Sequence, residues 1–194
     1  MSLAKRLLSV QPSGGGLVIT ESWNAADSSS MDADLTWTIT ENGFDIVSNR
    51  AKSEANGRCN AVADPAIGSN NVYVEAVVDT NSGTSGVGPT LCNVNTTTRS
   101  GYYFSLVRSN EIKIIRQPTG SQVDIATKSY TISASTIYTV RGEVSGGTVK
   151  MFVNGVEELS VVDGVPLTGA YAGIGAFLES GQSVFFDNFE AGTL

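Results

Sequence analysis

The sequence predicts an all-β fold, a two-sheet antiparallel sandwich preceded by a short N-terminal arm. Three observations support this prediction. The composition, with 21 glycines in 194 residues and only 16% charged residues, is typical of short strands joined by many turns. About a dozen strand-like segments follow one another at regular spacing from residue 17 onwards. No convincing helix interrupts them, and two packed sheets are the simplest way to bury so many alternating faces.

The predicted strands lie, in chain order, at 17–23, 35–40, 44–53, 59–64, 71–79, 87–95, 102–108, 111–117, 122–130, 136–145, the hairpin 149–161, 171–177 and 183–191. Ser109 and Asn110 are expected to form a tight turn between two sequential antiparallel strands. The Ser-Gly-Gly stretch at 145–147 has the same expected role.

The hairpin is VKMFVNGVEELSV. Asn154 and Gly155 separate its two apolar-alternating runs, and this pair favours a type I′ turn because both central residues of that turn need positive φ. Glu157 and Glu158 interrupt the alternation in the second run. We therefore expect a bulge or an exposed sheet edge at these two residues.

Residues 1–16 differ from the rest and are predicted to form an N-terminal arm and Gly-rich linker, followed by one domain over 17–194. Four apolar residues recur at helical spacing in the arm: Leu3, Leu7, Leu8 and Val10. The glycines at 14–16 then form a flexible breaker. One interpretation is a docking segment that folds against a partner; the other is a frayed terminus.

Composition and charge exclude several classes of function. The chain has no histidine, which removes the commonest general base, the commonest zinc ligand and every Ser-His or Cys-His nucleophilic site. The formal net charge is −7 and no stretch concentrates Lys and Arg, so we expect no nucleic-acid partner. Cys59 and Cys92 lie on separate predicted strands, and two buried thiols are favoured over a single disulfide.

The N-terminus MSLAKRLLSV has two basic residues and an apolar run too short for a secretory signal, and no apolar run in the sequence approaches a membrane span. We therefore expect synthesis in the cytoplasm, no membrane partner, and release by lysis if the protein leaves the cell.

Several stretches resemble one family of sandwiches. They are YTVRGEV from Tyr138, GTVKMFVNGV from Gly147, GAYAGIGAF from Gly169 and VFFDNFE from Val184. Together they resemble the closing half of a concanavalin A-like lectin/glucanase jelly roll. Trp23 to Met31, Trp37 and IVSNRAK from Ile46 resemble the opening of LamG-like modules in phage virion and secreted bacterial proteins. The resemblance spans most of the chain after the arm and implies a jelly-roll sandwich; its motifs encode turns and core, so it bears on fold more than on function.

The superfamily includes glycosidases, which need two carboxyl groups about 5–5.5 Å apart in retaining enzymes or about 6.5–9.5 Å apart in inverting ones. Glu75 and Asp79 share one face of a predicted strand, but four residues at about 3.3 Å each place them roughly 13 Å apart. The Glu-x-Asp-x-x-Glu or Glu-x-Asp-x-Glu run of the glucanase branch is absent. We therefore expect no enzymatic activity.

The resemblance also implies a structural calcium ion, which relatives with this jelly roll often hold near the terminal strand. It nominates Asp187 of the FDN motif as a ligand. The alternative is that Asp187 fixes the last strand by hydrogen bonds to a neighbouring loop. No cofactor is expected to be required.

A glycan-binding face needs an exposed aromatic ring to stack on a sugar, with amide or guanidinium donors nearby. In the strand predicted at 102–108, alternation places Tyr102, Phe104 and Leu106 in the core and Tyr103 outward. Donors on the same or adjacent strands complete the predicted site: Asn93, Arg99, Arg108 and Arg116. The alternative is that Tyr103 is an ordinary half-buried sheet residue.

These observations predict a non-enzymatic structural or adhesion protein of a virion, such as a phage decoration, fibre or tail-associated subunit. It would display a lectin-like jelly roll and bind capsid or tail proteins through Leu3, Leu7, Leu8 and Val10. A cell-surface glycan and a second copy of the chain are further expected partners. The alternative function is a carbohydrate-binding module of a polysaccharide-degrading system.

Overall fold

The computed structural model describes residues 17–53, 56–68, 70–81, 86–119 and 121–194. These residues form fifteen β-strands, and no helix among them has the length and apolar character needed to cross a membrane. The predicted arm, with Leu3, Leu7, Leu8 and Val10, lies outside the described residues.

The strands are β1 Val18–Glu21, β2 Thr36–Ile39, β3 Asp45–Val47, β4 Arg50–Ser53, β5 Gly57–Asp64, β6 Val72–Asp79, β7 Gly86–Asn93, β8 Gly101–Val107, β9 Glu111–Gln117, β10 Val123–Ser129, β11 Ile137–Ser145, β12 Thr148–Val153, β13 Val156–Val162, β14 Tyr171–Leu178 and β15 Val184–Thr193. Most strand positions alternate between buried and more exposed side chains, as strands with one face on a core require.

The strands form two antiparallel sheets. The eight-stranded sheet has the order β13-β12-β11-β6-β15-β4-β3, with β1 paired to the C-terminal half of β15. The seven-stranded sheet has the order β10-β9-β8-β7-β14-β5-β2. This arrangement confirms the predicted all-β, two-sheet antiparallel jelly-roll sandwich.

The two sheets pack face to face through a continuous apolar core. Tyr102, Phe104 and Leu106 of β8 are fully buried in it, as alternation predicts. The ring of Phe104 reaches across to the eight-stranded sheet and fills the space beside Gly142 of β11, where a Cβ would lie 2.1 Å from the nearest ring carbon. A side chain at residue 142 is therefore sterically excluded while Phe104 occupies this position.

One buried carboxylate holds the segment between β1 and β2. Glu21, which is 1% exposed, accepts hydrogen bonds from the backbone N–H groups of Trp23, Asp34 and Leu35 at 2.8–2.9 Å. The indole N–H of Trp37 donates to the same carboxylate at 3.3 Å. These bonds satisfy backbone donors that lie outside regular strands.

The hairpin of β12 and β13 has the predicted turn, with φ of 51° at Asn154 and 79° at Gly155. Met151 pairs with Leu159 while Phe152 pairs with Glu157, so Glu158 is the extra residue of a bulge. Because β13 is also the last strand of its sheet, the bulge and the exposed edge occur together.

The edge strand of the other sheet lies beside this hairpin. β10 is the last strand of the seven-stranded sheet and has a bulge between Asp124 and Ala126. Lys128 of β10 forms an ion pair with Glu158 of β13, and Lys150 of β12 pairs with Glu157. The two edges are therefore irregular, charged and joined to each other.

Two details differ from the sequence analysis or complete it. Residues 44–53, predicted as one strand, form the short strands β3 and β4, because Ser48 and Asn49 adopt positive φ of 53° and 59° and reverse the chain. Cys59 and Cys92 are buried and not joined by a disulfide, since β14 lies between their strands.

Candidate functional site

The outward face of the seven-stranded sheet, turned away from the core, carries a pocket of about 270 Å³. Its floor comes from the positions of β8 and β9 that alternate with core residues: Tyr103, Ser105, Val107, Lys113, Ile115 and Gln117. Strands β5, β7, β10 and β14 contribute its other walls, together with Glu41 and Arg99 from the loops before β3 and β8. The same alternation that fills the core therefore builds the pocket on the opposite face.

The middle of this face has very small residues. On β14 and β7, Gly175 pairs with Gly88 and Phe177 pairs with Gly86. A Cβ at Gly175 would lie 3.1 Å from Cε1 of Tyr103. The Tyr103 ring therefore extends from β8 across β7 and lies over Gly175, in space that a larger residue would occupy.

Two polar atoms beside Gly175 have no hydrogen-bond partner among the residues that the structure describes. They are the Tyr103 hydroxyl and the side-chain oxygen of Asn60, whose amide nitrogen donates to Thr40 Oγ1 at 2.7 Å. Asn60 Oδ1 would lie 3.2 Å from a Cβ at Gly175, so the Asn60 oxygen and the Tyr103 ring adjoin the same glycine. Of the two residues, Tyr103 lines the pocket, and both polar atoms are buried.

Burial raises the pKa of the Tyr103 hydroxyl above its ordinary value. The positive charges of Arg99 and Arg58 lower it, and the carboxylate of Glu41 raises it again. The net direction is upward, so this hydroxyl stays protonated at neutral pH and remains a hydrogen-bond donor.

Three cations line the pocket, and two of them are paired. Arg99 binds Glu41 at 3.2 Å, and Lys113 binds Asp124 at 2.9 Å, with Glu111 at 3.5 Å from the same nitrogen. The third cation, Arg58 of β5, is exposed and has no carboxylate partner within the described ranges. Its guanidinium lies 5.9 Å from the ring centroid of Phe177.

Phe177 is the exposed aromatic residue of the pocket, with 45% of its surface accessible to solvent. The sequence analysis missed it, although the signal is present. In β14, Ala172, Ile174 and Ala176 are buried, so strict alternation places Phe177 on the outward face. A sugar-stacking surface is therefore available at Phe177, whereas the Tyr103 ring forms part of the floor.

The predicted glycan-binding residues divide into two groups. Tyr103 and Arg99 line the pocket. The other three do not: Asn93 is buried and donates to Thr90 Oγ1 at 3.0 Å, Arg108 pairs with Glu179 at 2.9 Å, and Arg116 pairs with Asp163 at 2.8 Å. The structure therefore does not bring these three side chains to the pocket.

Asp187, the predicted calcium ligand, is half-buried at the bulge of β15. Its Oδ1 accepts a hydrogen bond from the backbone N–H of Asn188 at 2.8 Å. In the part of the chain that the structure describes, no group of three or more acidic or cysteine side chains is arranged to hold a metal ion. Calcium binding at Asp187 stays a prediction.

The carboxylates considered for catalysis lie on the other sheet. Glu75 and Asp79 are on the outward face of the eight-stranded sheet, where Asp79 binds Arg50 at 2.7 Å and Glu75 lies 3.8 Å from Arg141. The two carboxylates that line the pocket, Glu41 and Asp124, are each held in an ion pair.

Comparison with solved structures shows the class of fold. The carbohydrate-binding module CBM66 from Bacillus subtilis matches with a TM-score of 0.68 and 14% identity, over 79% of this chain and 94% of that chain. The carbohydrate recognition domain of Emp47p matches with a TM-score of 0.65 and 8% identity, over 94% of this chain and 99% of that chain.

A third similar structure comes from work on endo-acting O-glycanases that members of the human gut microbiota express to initiate mucin breakdown. Its TM-score is 0.64 at 10% identity, over 91% of this chain and 98% of that chain. At these identities the likeness shows the fold alone, a jelly-roll sandwich. No protein-family model matches the chain, and no curated protein sequence matches it.

Proposed function

We propose that this protein is a non-catalytic, lectin-like jelly roll that binds a glycan in the pocket on the outward face of the seven-stranded sheet. One observation carries the proposal. The exposed ring of Phe177 has the guanidinium of Arg58 over it at 5.9 Å, and Arg58 has no carboxylate partner among the described residues. An aromatic face for the apolar side of a sugar ring, with a multiple hydrogen-bond donor beside it, is the combination that sugar recognition needs.

The pocket has the size and polarity of a small-ligand site. Its volume of about 270 Å³ lies just below the usual range of about 300–1,000 Å³ for such sites, which suits a ligand of one or two sugar rings. The Tyr103 side chain lines the pocket, and its buried hydroxyl has no hydrogen-bond partner among the described residues. Two similar structures, CBM66 and the Emp47p domain, are named for carbohydrate binding or recognition, which supports the same function here.

The absence of catalysis is part of the proposal. Glu41 and Asp124 are each neutralised by an ion pair, and Glu75 and Asp79 lie on the outward face of the other sheet. Neither arrangement leaves a free pair of carboxyl groups facing a ligand in the pocket. Because one similar structure is associated with O-glycanases, mucin-type O-glycans belong among the substrates tested.

The test is a glycan array probed with the purified protein and with two variants. Phe177→Ala removes the stacking surface, and truncation of an aromatic anchor at the centre of a binding site typically costs more than about 1 kcal/mol, or roughly fivefold in affinity. Phe152→Ala is the matched control, because Phe152 lies on the outward face of the other sheet, between the buried residues Met151 and Val153. The proposal is supported if the parent protein binds a glycan, Phe177→Ala binds it more weakly and Phe152→Ala binds it equally well. It is refuted if the protein binds no glycan on the array.

A second proposal is that the protein is a virion component. This role rests on the apolar residues of the arm, Leu3, Leu7, Leu8 and Val10, which recur at helical spacing before a glycine-rich linker. A closer kinship to LamG-like modules is proposed as well, on the basis of the sequence motifs in the first half of the domain. In this proposal the arm binds a capsid or tail protein and the sandwich faces the host cell. A chain that begins at Leu17 should then be absent from purified virions that contain the full chain. Equal incorporation of both would refute attachment through the arm, and a polysaccharide-degrading system would become the favoured setting.

A further inference from the structure

We infer that the glycan bound by this pocket is acidic and that Arg58 binds its carboxylate or sulfate group. The inference depends on the proposed glycan site. It adds the chemical class of the ligand and the residue that recognises that class.

The charges that line the pocket give the first argument. Among its charged side chains, Arg58, Arg99 and Lys113 are cationic and Glu41 and Asp124 are anionic, which leaves an excess of one positive charge. The pairing shows where the excess lies, because Arg99 binds Glu41 and Lys113 binds Asp124. Arg58 is thus the one lining cation without a carboxylate partner among the described residues.

The position of Arg58 gives the second argument. Arg58 of β5 is directly opposite Phe177 of β14, and Gly86 of β7 lies opposite Phe177 on its other side. A Cβ at Gly86 would have no atom of the described residues within 4 Å, so within the described part of the chain this side of the ring is open. A sugar stacked on Phe177 therefore has free space towards Gly86 and a guanidinium towards Arg58, within reach of a ring substituent.

The third argument concerns the chemistry of the guanidinium. Arginine is always charged, and its planar fork donates two parallel hydrogen bonds to a carboxylate or sulfate, which are about twice as strong as bonds between neutral groups. The whole chain carries a formal charge of −7, which repels anions at a distance. Arg58, which has no carboxylate partner in the described part of the chain, supplies at the exposed ring of Phe177 a local attraction that the net charge of the protein opposes. A neutral sugar would gain little from that charge.

The experiment uses matched glycan pairs that differ only in the acidic group. Suitable pairs are oligogalacturonides and their methyl esters, sialylated and desialylated glycans, and sulfated and unsulfated galactans, each titrated into the full chain by calorimetry. We expect the acidic member of at least one pair to bind about tenfold more tightly than its neutral partner. That preference should decrease when the ionic strength is raised from about 0.05 M to about 0.5 M, since exposed charges are screened.

Two variants assign the preference to one residue. Arg58→Gln should weaken binding of the acidic glycan more than binding of the neutral one, so that the affinity ratio within each pair falls to about one. Arg108→Gln is the matched control, because Arg108 is also an exposed arginine beside this sheet but pairs with Glu179 and does not line the pocket. It should retain the full preference.

The outcomes separate this inference from the proposed function. Binding of glycans with equal affinity for the acidic and neutral members, or a preference that survives Arg58→Gln, overturns the acidic ligand and leaves the glycan site standing. Absence of binding to every glycan overturns both. Loss of the preference in Arg108→Gln as well would show a general charge effect and would remove Arg58 from its role.

Discussion

Replacing Gly142 with alanine should destabilise the sandwich more than an ordinary surface substitution does. The new Cβ would lie 2.1, 2.3 and 2.3 Å from three ring carbons of Phe104. Carbon atoms in contact are normally about 3.5–4.0 Å apart, so the ring and the strand would have to separate by more than about 1 Å. Phe104 is fully buried in the apolar core, and well-packed cores leave little room for such a shift.

Added atoms in a well-packed core cost about 1–3 kcal/mol, and the size of this overlap places Gly142→Ala in the upper half of that range. For a chain of this length, about 2–3 kcal/mol corresponds to a fall in Tm of roughly 4–12 °C. Chemical and thermal denaturation of the purified variant measure both quantities. Gly86→Ala is the control, because its Cβ would meet nothing within 4 Å, and its stability should change by less than about 0.5 kcal/mol.

A double variant tests whether the clash itself is responsible. Phe104→Leu replaces the aromatic ring with a shorter side chain, so Gly142→Ala should cost less stability in this variant than in the parent chain. If Gly142→Ala melts like the parent, or if the two substitutions are additive, the contact between the two sheets at this point is not the one described.

Three further predictions concern the turn, the acidic network and catalysis. Gly155→Val should cost about 1–3 kcal/mol, because φ is 79° there and a β-branched residue is strained at positive φ; an unchanged denaturation midpoint would contradict this. Burial alone raises the pKa of Asp163, but hydrogen bonds from Tyr102, the Val165 N–H and Arg116 outweigh it and hold that pKa below its usual value. The ionised Asp163 carboxylate therefore stabilises the fold above its unfolded-state pKa of about 4, and this stabilisation is lost as the pH falls towards the folded-state pKa. Between about pH 5 and pH 3, Asp163→Asn should consequently lose stability less steeply than the parent. Parallel plots of stability against pH for the two proteins would argue against this. The purified protein should release no reducing sugar from β-glucans or mucin O-glycans, and release that Glu41→Gln abolishes would show that the pocket is catalytic.

Strand alternation made the fold and one face of the site predictable. It placed Tyr102 and Phe104 in the core and Tyr103 on the opposite face, and the structure has this arrangement. The Asn154-Gly155 turn was equally predictable from the sequence, because few residue pairs tolerate positive φ at both positions.

The same rule, applied more fully, would have improved the predicted site. Arg116 has the inward parity of Ile112 and Ile114 in β9, which is why its side chain reaches Asp163 rather than the pocket. Phe177 has the outward parity of β14. Both positions were within reach of the pattern in the sequence.

Other features depend on contacts between distant residues, which no local pattern contains. Cys92 adopts a φ of 58° next to Asn93, and this break in β7 turns the Asn93 side chain into the protein. Whether Arg58 has a carboxylate partner depends on which acidic side chains the folded chain brings near it, and none of the described ones pairs with it. The order of strands in the seven-stranded sheet, with β14 between β5 and β7, decides that Arg58 and Phe177 become neighbours.

The irregular edges formed by β10 and β13 affect how the molecule behaves at high concentration. A flat, unpaired strand edge recruits the edge of another molecule and starts aggregation. Here Glu158 bulges out of β13, β10 bends between Asp124 and Ala126, and the Lys128–Glu158 ion pair joins the two edges. A second chain therefore finds neither a regular row of backbone donors and acceptors nor a neutral surface. These two edges therefore offer a poor template for strand pairing between copies of the chain.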